Sequence, residues 1–454
     1  MAARPMKLGL NIVANGAHAA GWRLPEAKAD AALDFELWTM LATRAETACL
    51  HFMFWADGAA IRHNAPSQEA LAYLARIDVW EPLTVIGALA ALTKRLGFIA
   101  SVSTTFNEPY HVARKLASLD HISKGRVGWN VVTSWSEQEA RNFGRAALMP
   151  HAQRYARAEE FVDVVTALWD SFEDDAFIRD KASGRYFDAD KLHPPGHAGR
   201  HFAVEGPLNI ARPVQGYPII AQAGSSGPGQ ALGTRIADII YTAQKDKAAA
   251  AAFYRAIKAQ AASIGRDPAR VLVMPGILPI IGATRRQAAD RFEALQELVP
   301  PALGLPLLKA SFGDLAGLDL DGPLPPPLPE SNALKSEHAA LVRLAAAEGM
   351  TIRKLYQILA GASGHYIVHG TASDVADRMQ DWFEGEACDG FNLMPAWLPG
   401  AAFDLFDQLV PELQRRGLAQ TAYAGDGTLR GSLGLPRPPH RRHRSSAPGE
   451  DRNA

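Results

Sequence analysis

Cysteine is scarce: Cys49 and Cys388 are the only two among 454 residues. That scarcity argues against a disulfide framework or a thiolate metal cluster. Cys49, in the apolar approach to Phe52-Met53-Phe54, reads as a small buried side chain. An excess of one charge is also missing. Lys plus Arg total 47 against 48 Asp plus Glu, a formal net charge of -1, which argues against global attraction to nucleic acid or to an anionic membrane. No apolar run approaches an uninterrupted membrane span, and the start, MAARPMKLGLNIV, is too briefly apolar for a signal peptide. A cytoplasmic enzyme is the expectation. Several catalytic signatures are absent as well: no H-E-x-x-H, no facial-triad spacing, no G-x-S-x-G elbow, no Walker loop and no G-x-G-x-x-G. With metal and nucleophile motifs missing, the chemistry is expected to belong to an organic cofactor.

What is present is a rhythm. Apolar residues make up 48% of the chain, enough for a substantial core, and short apolar runs alternate with longer helical patterns. Strands are expected over 7–13, 48–54, 97–102, 127–133, 218–223, 237–241, 271–281 and 390–394, and helices such as 27–47, 81–96, 109–122 and 152–169 lie between them. Many of these runs are continuously apolar, as strands covered by helices should be. Eight such strands close most economically as an α/β (β/α)₈ TIM barrel, with a doubly wound open sheet as the alternative. The expected domain is 1–424, with insertions about 180–212 and 284–369, the second containing the proline-rich DGPLPPPLPES. An insertion of that length suits a lid or an oligomer contact. The glycine-, proline- and arginine-rich segment 425–454 reads as a disordered, solvated tail.

Candidate site residues cluster at the expected strand ends, where barrels gather ligands. In FWADG, Asp57 follows the second strand and serves either a ligand or a turn. In SVSTTFNEPYH, Ser103, Thr104 and Thr105 bring small hydroxyls to the same mouth, and in GWNVVTS the Asn130 amide offers both donor and acceptor. In HAQRY, His151 and Tyr155 stand four apart on one helical face and can grip a single ligand. The segment QAGSSGPGQALG leads from a strand into a helix. Its small residues allow close backbone approach, and Ser225 and Ser226 add hydroxyl donors for an anion at the helix start. A turn that only reverses the chain would look the same. In NGAHAAGWR, His18 reads as a general acid/base or substrate contact, or as an incidental loop histidine. His365 and His369 in GHYIVHG have i, i+4 spacing, but the β-rich residues between them oppose a helical metal pair.

Taken together, FWADG, STTFNEPYHVARKLASLDHISKGRVGWNVVTS, EARNFG, HAQRYARAEEF, QAGSSGPG and HGTASDVADRM…DGFNLMP resemble the bacterial-luciferase-like flavin monooxygenases. The similarity is to the subgroup of nitrilotriacetate monooxygenase, dibenzothiophene-sulfone monooxygenase and pristinamycin synthase, and it runs from about Leu8 to Pro411. The resemblance implies a luciferase-like TIM barrel that takes reduced FMN from a separate NAD(P)H-dependent flavin reductase. It implies O₂ activation through a C4a-(hydro)peroxyflavin, transfer of one oxygen to a small organic substrate, and a homo-oligomer, dimer or tetramer. Asp57 and Thr104 would meet the isoalloxazine, His151 and Tyr155 the ribityl chain and phosphate, and Ser225 with Ser226 the phosphate. Asn130 and His18 would face the reaction side. The alternatives are a flavin- or deazaflavin-dependent reductase, a non-catalytic flavin-binding barrel and, last, a phosphate-binding isomerase or hydrolase, for which no base pair or metal site is evident.

Overall fold

The computed structural model describes residues 5–61, 68–327, 342, 344–347, 349–362 and 364–443. Its strands are β1 (Lys7–Ile12), β2 (Phe52–Trp55), β3 (Gly97–Ser103), β4 (Val127–Val132), β5 (Ile219–Gln222), β6 (Ile239–Thr242), β7 (Leu272–Ile281), β8 (Tyr366–Gly370) and β9 (Gly390–Leu393). Strands β1 to β7 pair in sequence, every pair parallel, and β9 closes the ring between β7 and β1. The result is a closed eight-stranded (β/α)₈ barrel. Each of the eight expected strands is one of its staves.

The ninth strand was not expected. β7 is ten residues long: Leu272–Pro275 pair with β6, Gly276–Ile277 with β9, and Ile277–Ile281 extend beyond the ring to pair with β8. The expected insertion 284–369 therefore ends inside a strand. Its helices are α8 (Arg285–Glu297), α9 (Pro301–Phe312) and α10 (Ile352–Ala362), and the last two pack on Ala19 and Ala20 beyond the end of β1. The residues 328–331 of the proline-rich segment lie outside the described residues.

The connecting helices include α1 (Phe35–Thr47), α2 (Pro82–Leu92), α3 (Pro109–Ser123), α4 (Glu137–Asn142), α5 (His151–Trp169), α6 (Gly227–Ile236) and α7 (Lys247–Ser263). The passage from α3 to β4 shows how locally the chain dictates its path. Lys124 (φ 58°) and Gly125 (φ 86°) end α3 in the left-handed region, and Arg126 is then buried at the start of β4. Its guanidinium donates to the carbonyls of Ala90 (2.8 Å) and Thr93 (2.9 Å) at the end of α2 and to Thr93 Oγ1 (3.0 Å), while Nε donates to Ser123 O (2.7 Å). A cation on the orphan carbonyls of a helix C-terminus both satisfies them and opposes the negative end of the dipole.

Inside the ring, Phe52, Phe54, Ile99, Ile219, Ile239, Leu272 and Met274 form one apolar cluster. Gly9 makes the space for it, because a Cβ there would lie 2.3 Å from the Phe52 ring. The floor of this cluster comes from an unexpected place. Residues 425–443, read from composition as solvated, are packed: Leu429, Leu433 and Leu435 join the interior cluster at the N-terminal ends of the strands. Arg430 is buried in a bidentate pair with Asp238 (2.8 and 2.9 Å), and Arg437 bonds both oxygens of Asp174. Composition misled because three apolar anchors and paired arginines outweigh the glycines and prolines around them. Residues 444–454 lie outside the described residues. The insertion 180–212 carries the expected hairpin, two residues per strand, His197–Ala198 against Ala203–Val204.

Leu429 sits against Gly97, where a Cβ would come within 2.5 Å of its Cδ1. Truncating Leu429→Ala empties part of the barrel floor and should cost about 2–5 kcal/mol. Urea denaturation followed by circular dichroism measures this, and a chain ending at Ala424 should lose cooperative unfolding altogether.

Candidate functional site

A cavity of about 360 Å³, within the size range of small-molecule sites, opens at the C-terminal ends of β4 and β5. Each wall has a local cause. β5 ends at Gln222, and the loop Ala223–Ser226 carries Gly224 to where a Cβ would be 2.9 Å from the Tyr155 hydroxyl and 2.4 Å from Gln222 Nε2. Gly229, in the first turn of α6, meets the same hydroxyl at 3.0 Å. Only glycine lets loop, helix start and tyrosine close so tightly. Ser226 caps α6, its Oγ accepting from Gly229 N (3.2 Å), and the same Oγ lies 3.4 Å from His151 Nε2. The rings of His151 and Tyr155, one turn apart on α5, lie 4.8 Å apart at 50°.

Of the residues expected at a site, Asp57, His151, Tyr155, Ser225 and Ser226 all line this cavity. Asp57 also borders two adjoining cavities of about 220 Å³ each, one lined by Val13, Ala14 and Arg76, the other by Ser103, Phe106 and Lys115. The other three expected residues point elsewhere. Thr104 is fully buried, its hydroxyl and amide both donating to Val132 O (3.2 and 2.9 Å), so it fastens the end of β3 to β4. Asn130 is buried on β4 and donates to Ser101 Oγ (2.8 Å), which donates in turn to Trp55 O (2.7 Å). His18 is buried beneath the 284–369 insertion. Its Nδ1 accepts from Ala20 N (3.2 Å), so Nε2 carries the proton and donates to Gln296 Oε1 (2.9 Å). Burial, with the charge of Arg76, lowers its pKa to about 4. It is a neutral, fully bonded imidazole.

Further side chains contribute to the cavity. Gln222 Oε1 and Arg154 Nε are buried polar atoms that meet no hydrogen-bond partner among the described residues, and both side chains line the cavity. Trp135, largely exposed, and Glu139, buried, complete the wall on the β4 side. Deeper in the barrel, Asn11 Nδ2 donates to Tyr241 Oη (2.8 Å), which lies 3.2 Å from His365 Nε2. Burial raises the Tyr241 pKa and lowers that of His365 to about 4. His369 is exposed on β8 and stacks on Phe292 instead (5.1 Å), and among the described residues no His, Cys, Asp and Glu group could hold a metal.

A cavity at the strand ends, bordered by Gly58 and Gly224, the cap of a helix, His151 and Arg154, has the donors and positive charge that suit an anionic group. Comparison with known proteins narrows the class. The family described as luciferase-like monooxygenase matches residues 18–387. The chain is 46% identical to the N-acetyl-S-(2-succino)cysteine monooxygenase of Bacillus subtilis (strain 168) over 96% of this chain and 98% of that protein. It is 44% identical to nitrilotriacetate monooxygenase component A of Aminobacter aminovorans, over 96% of this chain and 97% of that protein. Among solved structures, riboflavin lyase (RcaE) with modified FMN and riboflavin superposes with a TM-score of 0.81 at 31% identity, covering 95% of this chain and 96% of that one. The chain belongs to the luciferase-like monooxygenase family. No helix among the described residues is long and apolar enough to cross a membrane.

The buried histidines set an acid limit. His18 and His365 have pKa values lowered to about 4 and His51 to about 3, each chiefly by burial. The unfolded chain protonates them near 6.5, so below that pH it binds more protons than the folded one, and stability is lost as the pH falls. Each histidine contributes up to about 1.4 kcal/mol per pH unit down to its folded value. Asp120, its pKa raised by burial to about 6, acts in the opposite sense and offsets part of the loss. Urea midpoints at pH 7.5 and 5 should differ less in His18→Gln and His51→Gln than in the wild type. Equal differences would refute the assignment.

Proposed function

We propose that the protein is the oxygenating component of a two-component system, binding reduced FMN supplied by a separate NAD(P)H-dependent reductase. With O₂ it places one oxygen atom on a small organic substrate. The single observation that carries this reading is the 360 Å³ cavity, in which the glycine-floored loop, the start of α6 and the His151–Tyr155 pair converge. Support comes from a monooxygenase family spanning most of the chain, from the flavin in riboflavin lyase, and from a relative whose name makes it one component of a system. The names of the two relatives point to a sulfur- or nitrogen-containing substrate.

The residues present fit a flavin nucleotide. In this reading the Ser225 hydroxyl and the Gly227 amide at the start of α6 hold the phosphate, with Arg154 adding charge from behind. His151 and Tyr155 flank the ribityl chain, and the two orphaned atoms, Gln222 Oε1 and Arg154 Nε, gain partners from the ligand. Asp57 faces the ring from the point where three cavities meet. Thr104 and Asn130 act from behind the rim by fixing β3 to β4 and to β2, and His18 ties the insertion to the β1 loop. When bound, the reduced flavin supplies the electrons that activate O₂. The protein's part is to orient it and keep water away, and the helices α9 and α10 over the β1 side are placed to do the latter.

Two serines with different duties make the test. Ser225→Ala should weaken FMN binding about tenfold, the worth of one hydrogen bond to a charged group, with melting temperature unchanged. Ser226→Ala should weaken binding and also destabilise by about 1 kcal/mol, because a helix cap is lost. Flavin fluorescence quenching and urea unfolding read the two effects. Product carrying ¹⁸O from labelled dioxygen, under an FMNH₂ supply and a screen of sulfur- and nitrogen-containing compounds, tests the reaction. Flavin affinity unchanged in Ser225→Ala removes the phosphate assignment.

A further inference from the structure

We infer that Glu139 is a positioning residue for the flavin ring: its carboxylate ties the exits of β2, β3 and β4 together and places a fixed negative charge between two adjoining cavities. This rests on the flavin reading above.

The ordinary account of Glu139 is local. It is the third residue of α4 and completes a capping box, with Oε2 accepting from Ser136 N (3.4 Å) and Ser136 Oγ accepting from Glu139 N (3.4 Å). That role uses one oxygen. The other, Oε1, accepts from Ala59 N (3.0 Å), 80 residues away in the chain, and from Ser134 Oγ (3.3 Å). A cap does not call for either contact.

Donor counting fixes the direction of the chain beyond it. Ser103 Oγ accepts from the amides of Thr105 (3.1 Å) and Phe106 (3.4 Å), which fills its two lone pairs. Its own hydrogen therefore goes to Ser134 Oγ (2.8 Å), and the Ser134 hydrogen goes to Glu139. Ser134 stands at φ 56°, a left-handed backbone that costs a non-glycine residue of order 1–2 kcal/mol. The strain is kept because that conformation turns the hydroxyl between Ser103 and Glu139. Each of the three exit loops ends on this one carboxylate, directly or through Ser134.

The loop from β2 is held twice. While Ala59 N donates to Glu139, Ala59 O accepts from Asn142 Nδ2 (2.8 Å), one helical turn further along α4. Ala59 follows Asp57 and Gly58, the two residues common to three cavities, and a Cβ on Gly58 would meet Glu139 Oε1 at 3.6 Å. Glu139 and Ser134 themselves line both the 360 Å³ cavity and the 220 Å³ cavity behind it. A buried anion there opposes the addition of negative charge to a nearby ring, since its field is poorly screened.

The test separates charge from shape. Glu139→Gln keeps the size and one acceptor oxygen but removes the charge, and the midpoint potential of bound FMN should become more positive. Asn142→Ala keeps the charge and cuts one tie on Ala59, so FMN affinity should fall at least fivefold with the potential unmoved. Glu139→Ala should do both. A role confined to the capping box predicts a lower melting temperature in the two Glu139 variants, with affinity within twofold of wild type and the same potential in all three, and that result overturns the inference. Should wild-type protein fail to bind FMN, the flavin reading itself falls and this assignment with it. Normal wild-type binding with unaltered variants defeats the Glu139 assignment alone.

Discussion

Closure of the parallel ring is the constraint on which the remaining features depend. Once Lys7–Leu10 pair with Gly390–Leu393, no strand edge remains in the barrel, and every stave points its C-terminal end at one rim. The opposite rim must then be sealed, which Leu429, Leu433 and Leu435 accomplish, with Arg430 paired to Asp238 in place of water. Hydrophobic residues gather at the floor and mid-barrel. Polar interior groups are fewer, and Asn11, Tyr241 and His365 lie within hydrogen-bond reach of one another.

The rim is organised by short, specific contacts rather than by bulk. Glycines at 224 and 229 bring a loop and a helix start onto the Tyr155 hydroxyl, and Ser226 serves the helix while standing beside His151. The same economy recurs on the other side of the cavity, where one carboxylate reaches three loops. Sites of this kind tolerate little drift, because a group misplaced by an ångström no longer orients its ligand.

Much of this was legible in the chain. The eight staves declared themselves as apolar runs because helices cover one face and packed side chains the other. Their edges were less clear: 48–51 looked apolar enough to extend β2 but turn instead, with Cys49 at φ 60°. β8 escaped notice because it is an annex to the projecting half of β7, and its pattern, half-buried with His369 outward, is not that of a barrel stave. The packed segment 425–443 hid behind its composition, although the leucines at 429, 433 and 435 were a signal. Asp57, His151, Tyr155, Ser225 and Ser226 line the cavity because each sits where a motif leaves a strand or opens a helix. Thr104, Asn130 and His18 share those motifs, yet the fold aims their side chains into protein, a matter of register that spacing does not disclose. Glu139 opens the motif EARNFG, but spacing does not disclose that one of its oxygens reaches Ala59 and Ser134.

The pairing of Lys7 with Gly390 also bears on how the protein is made. A ribosome delivers the first stave long before its eighth neighbour, so most of the sheet emerges with an open flank and an unfloored interior. Contacts so distant in sequence form late and slowly, leaving the nascent chain exposed to strand-edge association.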